Sequence, residues 1–400
     1  MVRGNESQCS GCEACAEVCP EKCISFSTNI NGFRVPVINQ EKCVHCNKCS
    51  RECPMNIKSN IEKHIPMAVY GAYAKKEQKR SASGAVSFIL GSQIIENGGA
   101  VYGSEFTKNL QVVVRRAVTV EDLSRQQGSK YVQSTMDTVI EQINKDIRNG
   151  QKVLFTGTPC QVAGVKTALK KLENGNLYTA EIICHGTPSP KMFADYLRWA
   201  EKHYGKKIIS YTFRAKEKDI EKDFMIHLGF SDGSKCSVSG FKDPYYKLFM
   251  TSKWFRESCY NCPFANKNRV ADITLGDFWN SERLPPSFGK NRRISVVIIN
   301  SDKGQRLFNT VKDKIIVIDS DWETAVAGNA NLERFTKRTD DVYLYGAVKN
   351  PMEFFENVSQ GKIDIKKYVF NQMPIQMRRK LKGIYLSLIH ISEPTRPEPI

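Results

Sequence analysis

The sequence predicts an α/β chain, α+β overall, in which a small cysteine-rich segment precedes a larger mixed α/β core. Two copies of one cysteine motif lie near the N-terminus. From about residue 65 onward, strand-like and helix-like segments alternate. Two of these strands end in the same Gly-Thr-Pro turn, which is typical of successive βα units. These three observations separate the chain into two structurally different parts.

Length and composition favour a cytoplasmic protein of two or three domains. The chain has 400 residues, of which 41% are hydrophobic and 25% charged, as in ordinary globular proteins. No apolar run reaches the length of a membrane span, and the N-terminus lacks the apolar core of a signal peptide. In the cytoplasm, closely spaced cysteines are more often metal ligands than disulfides.

The chain is basic, with 59 Lys and Arg against 42 Asp and Glu, a formal charge of +17. A basic surface attracts acidic electron carriers, nucleic acid or anionic lipid. A solvated surface with no such partner is the alternative. Because the interleaved aromatic and basic motifs of nucleic-acid-binding proteins are missing, we expect no nucleic-acid partner.

Eight cysteines form two copies of the motif C-x2-C-x2-C-x3-C-P, in "CSGCEACAEVCP" and "CVHCNKCSRECP". This spacing is the signature of two-cluster bacterial ferredoxins, in which each fourth cysteine binds the other cluster. We therefore expect two 4Fe–4S clusters in a small ferredoxin-like domain. The predicted ligands are Cys9, Cys12, Cys15 and Cys53 for the first, and Cys43, Cys46, Cys49 and Cys19 for the second. Zinc sites and a disulfide scaffold are the alternatives.

The core elements follow in order along the chain. The stretch "GFRVPVINQEK" between the two motifs predicts a strand and turn, and "MAVYGAYAK" and "LQVVVRRAV" predict further strands. Helices are predicted in "GAVSFILGSQIIENGG", closed by Gly98 and Gly99, and in "DTVIEQINKDIRNG", which ends at Gly150. Next come a strand from Lys152 to Thr156 with a helix after it, and a strand ending near Cys184 with a helix after Pro190.

Each of these last two strands ends beside a cysteine, Cys160 or Cys184. Parallel neighbours place their carboxyl ends on one sheet edge, so both thiols should face one crevice. The later pair Cys259 and Cys262 completes a set of four, which predicts a third 4Fe–4S cluster. The alternatives are buried apolar cysteines, half of a zinc site, or a Cys160 nucleophile at a helix N-terminus with His185 as its base.

Beyond the ferredoxin motifs, the chain carries "SASGAVS", "GSKYVQS", "TGTPCQVAG", "CHGTPSP", "FRAKE" and "ADITLGDFW" in that order. In this it resembles the coenzyme F-420 hydrogenase/dehydrogenase beta-subunit family. The resemblance runs from about Cys9 to Trp279 and more loosely to about residue 385. It implies an FAD-binding core with an iron–sulfur cluster, in agreement with the four later cysteines. Coenzyme F-420, which the archetypes reduce or oxidise, is a further cofactor candidate.

The resemblance also points to a flavin site in two of these stretches. In the first, backbone N–H groups that precede a helix suit a phosphate. In the second, a lysine suits a reduced flavin or a phosphate. The candidate flavin contacts are Ser81, Ser83, Gly84, Gly128, Ser129, Lys130 and Tyr131. An ordinary helix cap and turn is the alternative. Arg214, Asp272 and Asp277 also match family positions, without an assigned role.

The prediction is an iron–sulfur flavoprotein oxidoreductase that moves electrons between a ferredoxin-like carrier and an organic acceptor. The alternative is an electron-transfer subunit without its own substrate site that serves a partner oxidoreductase, for example in surface-polysaccharide biosynthesis. The predicted domains are 1–62, ferredoxin-type; 66–150, α/β with flavin contacts; 151–330, α/β with the third cluster; 331–385, a basic helical segment; and 386–400, a non-native tail that resembles translated sequencing-adapter sequence.

Overall fold

The computed structural model describes residues 6–56, 61–76, 78–172, 175–216, 224–288, 293–339 and 345–362. The strands are β1 (Ile24–Thr28), β2 (Arg34–Ile38), β3 (Ala68–Ala74), β4 (Ala100–Phe106), β5 (Val112–Ala117), β6 (Val153–Gly157), β7 (Leu177–Ile182), β8 (Ile208–Ala215), β9 (Met225–Phe230), β10 (Lys235–Ser239), β11 (Ile273–Asp277), β12 (Ser295–Ile299) and β13 (Ile315–Ser320).

The helices alternate with these strands after residue 65, as the sequence predicts for a mixed α/β core. They are α1 (Ala14–Glu17), α2 (Lys48–Arg51), α3 (Val86–Glu96), α4 (Val120–Gln126), α5 (Val139–Arg148), α6 (Pro159–Leu169), α7 (Pro190–Tyr204), α8 (Pro244–Thr251), α9 (Asp302–Asn309), α10 (Trp322–Gly328) and α11 (Pro351–Ser359). Within the described ranges, none of them has both the length and the apolar character to cross a bilayer.

An eight-stranded sheet organises the core, in the order β13-β3-β12-β11-β7-β6-β4-β5. The central strands β11, β7, β6 and β4 are parallel, as predicted for the two βα units. Strand β12 is antiparallel to both β11 and β3, so β3 runs the same way as the central strands. The carboxyl ends of β3, β4, β6, β7 and β11 therefore share one edge of the sheet.

Strands from both sides of the predicted boundary at residue 150 belong to this sheet, because β3, β4 and β5 precede it. The domain boundaries stay a prediction. A separate three-stranded antiparallel sheet, β10-β9-β8, packs with α7 and α8 around a large aromatic core. Cys236 lies on β10. The predicted tail 386–400 and residues 363–385 lie outside the described residues.

The helices that flank the cysteines begin at strong local signals. Thr158 and Gln161 form a capping box at the start of α6, with Pro159 at its first position. The Ser189 side chain accepts a hydrogen bond from the Met192 amide at the start of α7, where Pro190 follows. Strand β6 therefore leads directly into a capped helix, whereas β7 is joined to its capped helix by residues 183–189.

The N-terminal cysteine segment shares a hydrophobic core with the main sheet. Cys12, Ala14 and Met55 are buried in the same cluster as residues of β4, β6, α5 and α6. At Gly164 of α6, an added Cβ would lie 2.9 Å from the Cys12 Cβ, closer than such atoms approach in proteins. A glycine at this position lets the first cysteine loop pack directly on the helix.

Candidate iron–sulfur and flavin sites

The first group of thiols lies where the N-terminal segment meets α6. Burial raises the pKa of the Cys12 thiol, and negative charge on Cys53, Cys9 and Cys160 adds to the effect. The pKa of Cys15 is raised by the same causes, with charges from Cys12, Cys9 and Cys53. The structure thus brings together the four cysteines predicted for the first cluster, including Cys53 from the second motif.

The second group surrounds a cavity at the outer end of the N-terminal segment. The lining of this cavity includes the four predicted ligands, Cys19, Cys43, Cys46 and Cys49, a fifth cysteine, Cys23, and apolar residues such as Ile24, Ile38 and Val44. The Cys23 Sγ lies 3.4 Å from the Cys19 Sγ. Cys46 is exposed, whereas Cys12 in the first group is buried. Four thiols around one cavity fit a 4Fe–4S cluster.

The third group lies at the carboxyl edge of the main sheet. Cys160 is the second residue of α6, directly after β6, and Cys184 follows the end of β7. Cys259 lies in a short helical turn, Glu257–Asn261, and Cys262 follows it. A bridge between Pro188 and Phe255 joins the loop after β7 to the segment before this turn. The convergence predicted from the two βα units is therefore present, although the cluster itself stays a proposal.

Burial and mutual repulsion dominate the electrostatics of this third group. Burial raises the pKa of Cys184 to about 12, with further contributions from the charges of Cys160 and Cys262. Burial likewise raises the pKa of Cys262 to about 11, again with Cys160 as the charged neighbour. Thiolates in such a setting need a cationic partner, and an iron–sulfur core supplies it.

A buried ion pair lies next to the third group and stabilises the loop after Cys262. The Arg269 Nε donates to the Glu181 Oε1 at 2.5 Å, and neither side chain is more than 1% exposed. The Arg269 Nη1 also donates to the backbone oxygens of Phe264 and Asn266, just after Cys262. The pair therefore ties the Cys262 loop to β7, three residues before Cys184.

The nucleophile alternative finds less support in the contacts around Cys160. His185 contacts Ser252, with 2.9 Å between Nε2 and Oγ, and burial lowers the pKa of its imidazole to about 4. Cys160 instead contacts Thr158, with 3.2 Å between Sγ and Oγ1, and burial raises the pKa of its thiol. Neither contact joins the His185 ring to the Cys160 thiol, so these contacts do not support His185 as the base for Cys160.

The three groups of thiols follow one another in space. Charge on Cys49 of the second group raises the pKa of Cys15 in the first. Charge on Cys160 of the third group raises that of Cys12 in the first. The first group is therefore the electrostatic neighbour of both others. No three His, Cys, Asp or Glu side chains in the described ranges converge as ligands of a single metal ion. In a 4Fe–4S cluster, each thiolate binds a different iron.

The two candidate flavin stretches lie side by side at the carboxyl edge. The Gln127 Nε2 donates to the Ser81 Oγ at 2.8 Å, and an added Cβ on Gly128 would lie 3.2 Å from the Arg80 carbonyl oxygen. In the sequence, only the family resemblance connects these stretches. Their adjacency places them at the edge where α/β sheets bind ligands.

Several donors in these stretches already have partners within the chain. The Gly84 amide donates to the Ser295 Oγ at 2.9 Å, and the Ser83 Oγ donates to the Ile294 carbonyl oxygen at 3.0 Å. The Lys130 Nζ donates to backbone oxygens at the end of α4, with two contacts of 2.8 Å, and burial lowers its pKa to about 7. These donors serve packing and helix capping within the chain. In this arrangement they do not fit a flavin phosphate.

Ring contacts connect the second flavin stretch to the third group of thiols. The Tyr131 ring stacks on Phe249 with centroids 4.3 Å apart, and Phe249 contacts the His185 ring at 5.0 Å. His185 directly follows Cys184. This aromatic connection was not predicted from sequence, because ring contacts across such separations leave no local signal. Arg256, Arg269 and Glu181 were also missed, although Arg256 lies only three residues before Cys259.

Two further residues of the family motifs form an ion pair between a buried arginine and a half-buried aspartate. The Arg214 guanidinium donates to the Asp277 carboxylate at the end of β11. It lies beside the stacked rings of Phe224 and Trp279, with 5.0 and 4.9 Å to their centroids. Asp272 instead accepts hydrogen bonds of 2.8 Å from the Thr179 amide and hydroxyl, a contact between neighbouring strands. The two aspartates thus make structural contacts at opposite ends of β11.

The two groups of thiols in the N-terminal segment define an iron–sulfur protein. Residues 150–322 match the family model for the C terminus of the coenzyme F420 hydrogenase/dehydrogenase beta subunit. Residues 8–57 and 35–88 match two models of the 4Fe-4S dicluster domain. The chain therefore carries a region similar to the C terminus of the coenzyme F420 hydrogenase/dehydrogenase beta subunit, with a 4Fe–4S dicluster domain in front of it.

Two curated proteins of Methanocaldococcus jannaschii are similar to parts of the chain. A coenzyme F420-dependent sulfite reductase is 29% identical over 164 residues, 40% of this chain and 24% of that protein. An uncharacterized polyferredoxin-like protein is 41% identical over 58 residues, 12% of this chain and 34% of that protein. The chain thus spans about a quarter and a third of these relatives.

Among solved structures, the chain is similar to one from the F420-reducing NiFe hydrogenase complex of Methanosarcina barkeri. The two share 16% identity with a TM-score of 0.45, over 77% of this chain and 92% of the other.

Proposed function

We propose that the protein is an iron–sulfur flavoprotein oxidoreductase that moves electrons between a ferredoxin-like carrier and an organic acceptor. The observation that carries this proposal is the series of three four-cysteine groups, from the exposed Cys46 to the partly buried thiols at the carboxyl edge of the main sheet. When bound, iron–sulfur clusters carry single electrons and FAD exchanges them as pairs. The relatedness to F420-dependent enzymes makes coenzyme F-420 a candidate acceptor.

The residues of the chain have distinct tasks in this proposal. The second cysteine group provides the outer contact, because Cys46 is exposed and the exposed side chains of Val44 and His45 border its cavity. The first group connects inward, because it neighbours both others electrostatically. The third group lies at the carboxyl edge of the main sheet, where all four of its thiols are only partly exposed. An acidic carrier is expected to dock at the outer end.

FAD is proposed at the carboxyl edge, near the paired stretches that contain Ser81 and Gly128. The topology of the sheet and the family resemblance support this location. The rings of Tyr131, Phe249 and His185 would then separate the flavin from Cys184. Because donors such as Lys130 have internal partners, binding would require either rearranged side chains or contacts from backbone groups at the same edge.

The decisive experiment measures iron, acid-labile sulfide and released flavin on anaerobically purified full-length protein. We expect about twelve irons per chain, three clusters of four, and one FAD. Cys160→Ser should lose about four irons. Cys236→Ser is the matched control, because Cys236 lies on β10 outside the three groups, and it should lose none. About eight irons in the unmodified protein, with none lost in Cys160→Ser, would contradict the third cluster.

A second candidate function is an electron-transfer subunit that serves a partner oxidoreductase and has no substrate site of its own. The internal hydrogen bonds of Ser83, Gly84 and Lys130 favour this candidate, because they occupy the predicted flavin donors. Protein with full iron, no flavin and a stable partner in an anaerobic pull-down would support it. One FAD per chain, with turnover of an organic acceptor by the purified chain alone, would exclude it.

A further inference from the structure

Arg256 occupies a central place between two of the cysteine groups. Its backbone belongs to the third group, since its carbonyl oxygen accepts from the Cys259 amide at 2.8 Å and its amide donates to the Thr187 carbonyl oxygen at 2.9 Å. Its side chain extends into the first group, where Nε donates to the Cys9 carbonyl oxygen at 2.5 Å. Arg256 thus connects the loop of Cys9 in the N-terminal segment to the loop of Cys259 in the core.

The remaining contacts hold this guanidinium in a fixed orientation. Nη1 donates to the Gln133 Oε1 and Nη2 to the Arg34 carbonyl oxygen, both at 2.8 Å. The Phe33 ring lies 5.1 Å from the guanidinium carbon. An added Cβ on Gly11 would lie 2.8 Å from Nη1, so only glycine leaves room for it there. Arg256 is 3% exposed.

The charge of Arg256 lacks a carboxylate partner among the described residues. All three of its side-chain hydrogen bonds end on neutral oxygens. The other buried arginine of this region, Arg269, is paired with Glu181. A buried charge without a counter-charge is strongly unfavourable, so its presence indicates an anion nearby.

We propose that Arg256 is the shared counter-charge of the first and third iron–sulfur clusters and a positioning residue for both. This inference rests on the proposed function. Four thiolates give a 4Fe–4S cluster a net negative charge, which reduction increases. A fixed cation between two such clusters stabilises the reduced form of each and raises both reduction potentials. Neighbouring clusters kept close in potential exchange electrons readily in either direction.

The test is a potentiometric titration of full-length protein, followed by EPR, with signals assigned from Cys46→Ser and Cys160→Ser variants. In Arg256→Gln, the first and third clusters should shift to more negative potentials while the second stays at its wild-type value. Arg256→Lys keeps the charge and should shift them less. Arg198→Gln removes one charge from a largely exposed side chain and should leave all three unchanged.

Each outcome decides the proposal. Unshifted potentials in Arg256→Gln at full iron content would overturn it. If Arg256→Gln loses iron, Arg256→Lys decides: full iron with near-wild-type potentials supports the shared charge, whereas loss of iron in both variants assigns Arg256 to hydrogen bonding alone and overturns it. Failure of the proposed function is distinguishable, because it would appear in the wild-type protein itself as missing flavin or as about eight irons instead of twelve.

Discussion

The second and third cysteine groups carry the same number of predicted ligands in opposite settings. Around the second, Cys46 is exposed and Val44 is 61% exposed. Around the third, burial raises the pKa of both Cys184 and Cys262 well above the ordinary thiol value. The contrast teaches that exposure, rather than ligand type, decides which site meets a carrier and which stays inside the protein.

The contacts that stabilise the second and third cysteine groups differ as well. The second group is held by tight backbone turns, with His45 and Asn47 at positive φ, and by a surface ion pair between Lys22 and Glu17. The third is held by the fully buried pair of Arg269 and Glu181. Surface ion pairs contribute little to stability, whereas a broken buried pair leaves an uncompensated charge.

The largest effect is expected from Cys46→Ser, which tests the outer position of the second group. The variant should lose about four irons and most of its rate of reduction by reduced ferredoxin, measured anaerobically by stopped flow. Cys160→Ser should lose a similar amount of iron but still accept electrons from the carrier. Equal rates of reduction in Cys46→Ser and wild type would remove the distinction between an outer and an inner site.

Next in size is Glu181→Gln, which leaves Arg269 buried without its partner. The free energy of unfolding should fall by about 3–5 kcal/mol. Lys22→Gln is the matched control at the outer site and should cost about 1 kcal/mol or less. Both are measured by chemical unfolding under anaerobic conditions. Similar losses in the two variants would show that the supports of the two sites do not differ.

The smallest effect is expected from Asp243→Asn at the start of α8, the helix that carries Phe249. Burial raises the pKa of Asp243 to about 6 from 3.8. Since the folded protein binds this proton more tightly, the contribution of Asp243 to stability is full below about pH 4 and falls as the pH rises through about 6. Asparagine still caps the helix. Relative to wild type, the variant should gain about 1 kcal/mol at about pH 7.5 and less at about pH 5. An equal difference at both pH values would argue against this titration.

The sequence was most informative where chemistry depends on short spacing. Cys9 to Cys19 and Cys43 to Cys53 predict their groups from local intervals alone, and the turns after β6 and β7 predict that Cys160 and Cys184 meet. The position of β3 between β12 and β13 depends on pairing across more than two hundred residues and has no local pattern.

Polar side chains near the predicted flavin site show a different limit. Lys130 was predicted as a flavin contact, yet its side chain caps carbonyl oxygens at the end of α4. The residues around a lysine in the sequence do not distinguish a flavin contact from a helix cap. Arg256 gives no motif at all, because its importance arises from three acceptors supplied by distant segments. Such residues are identified only when the fold brings their partners together.

The contact between Cys12 and Gly164 has a consequence for how the protein matures. With the N-terminal segment packed on α6, the Cys12 thiol is buried and no cluster-delivering scaffold protein can reach it. For the proposed first cluster, we therefore expect insertion before the segment docks on α6.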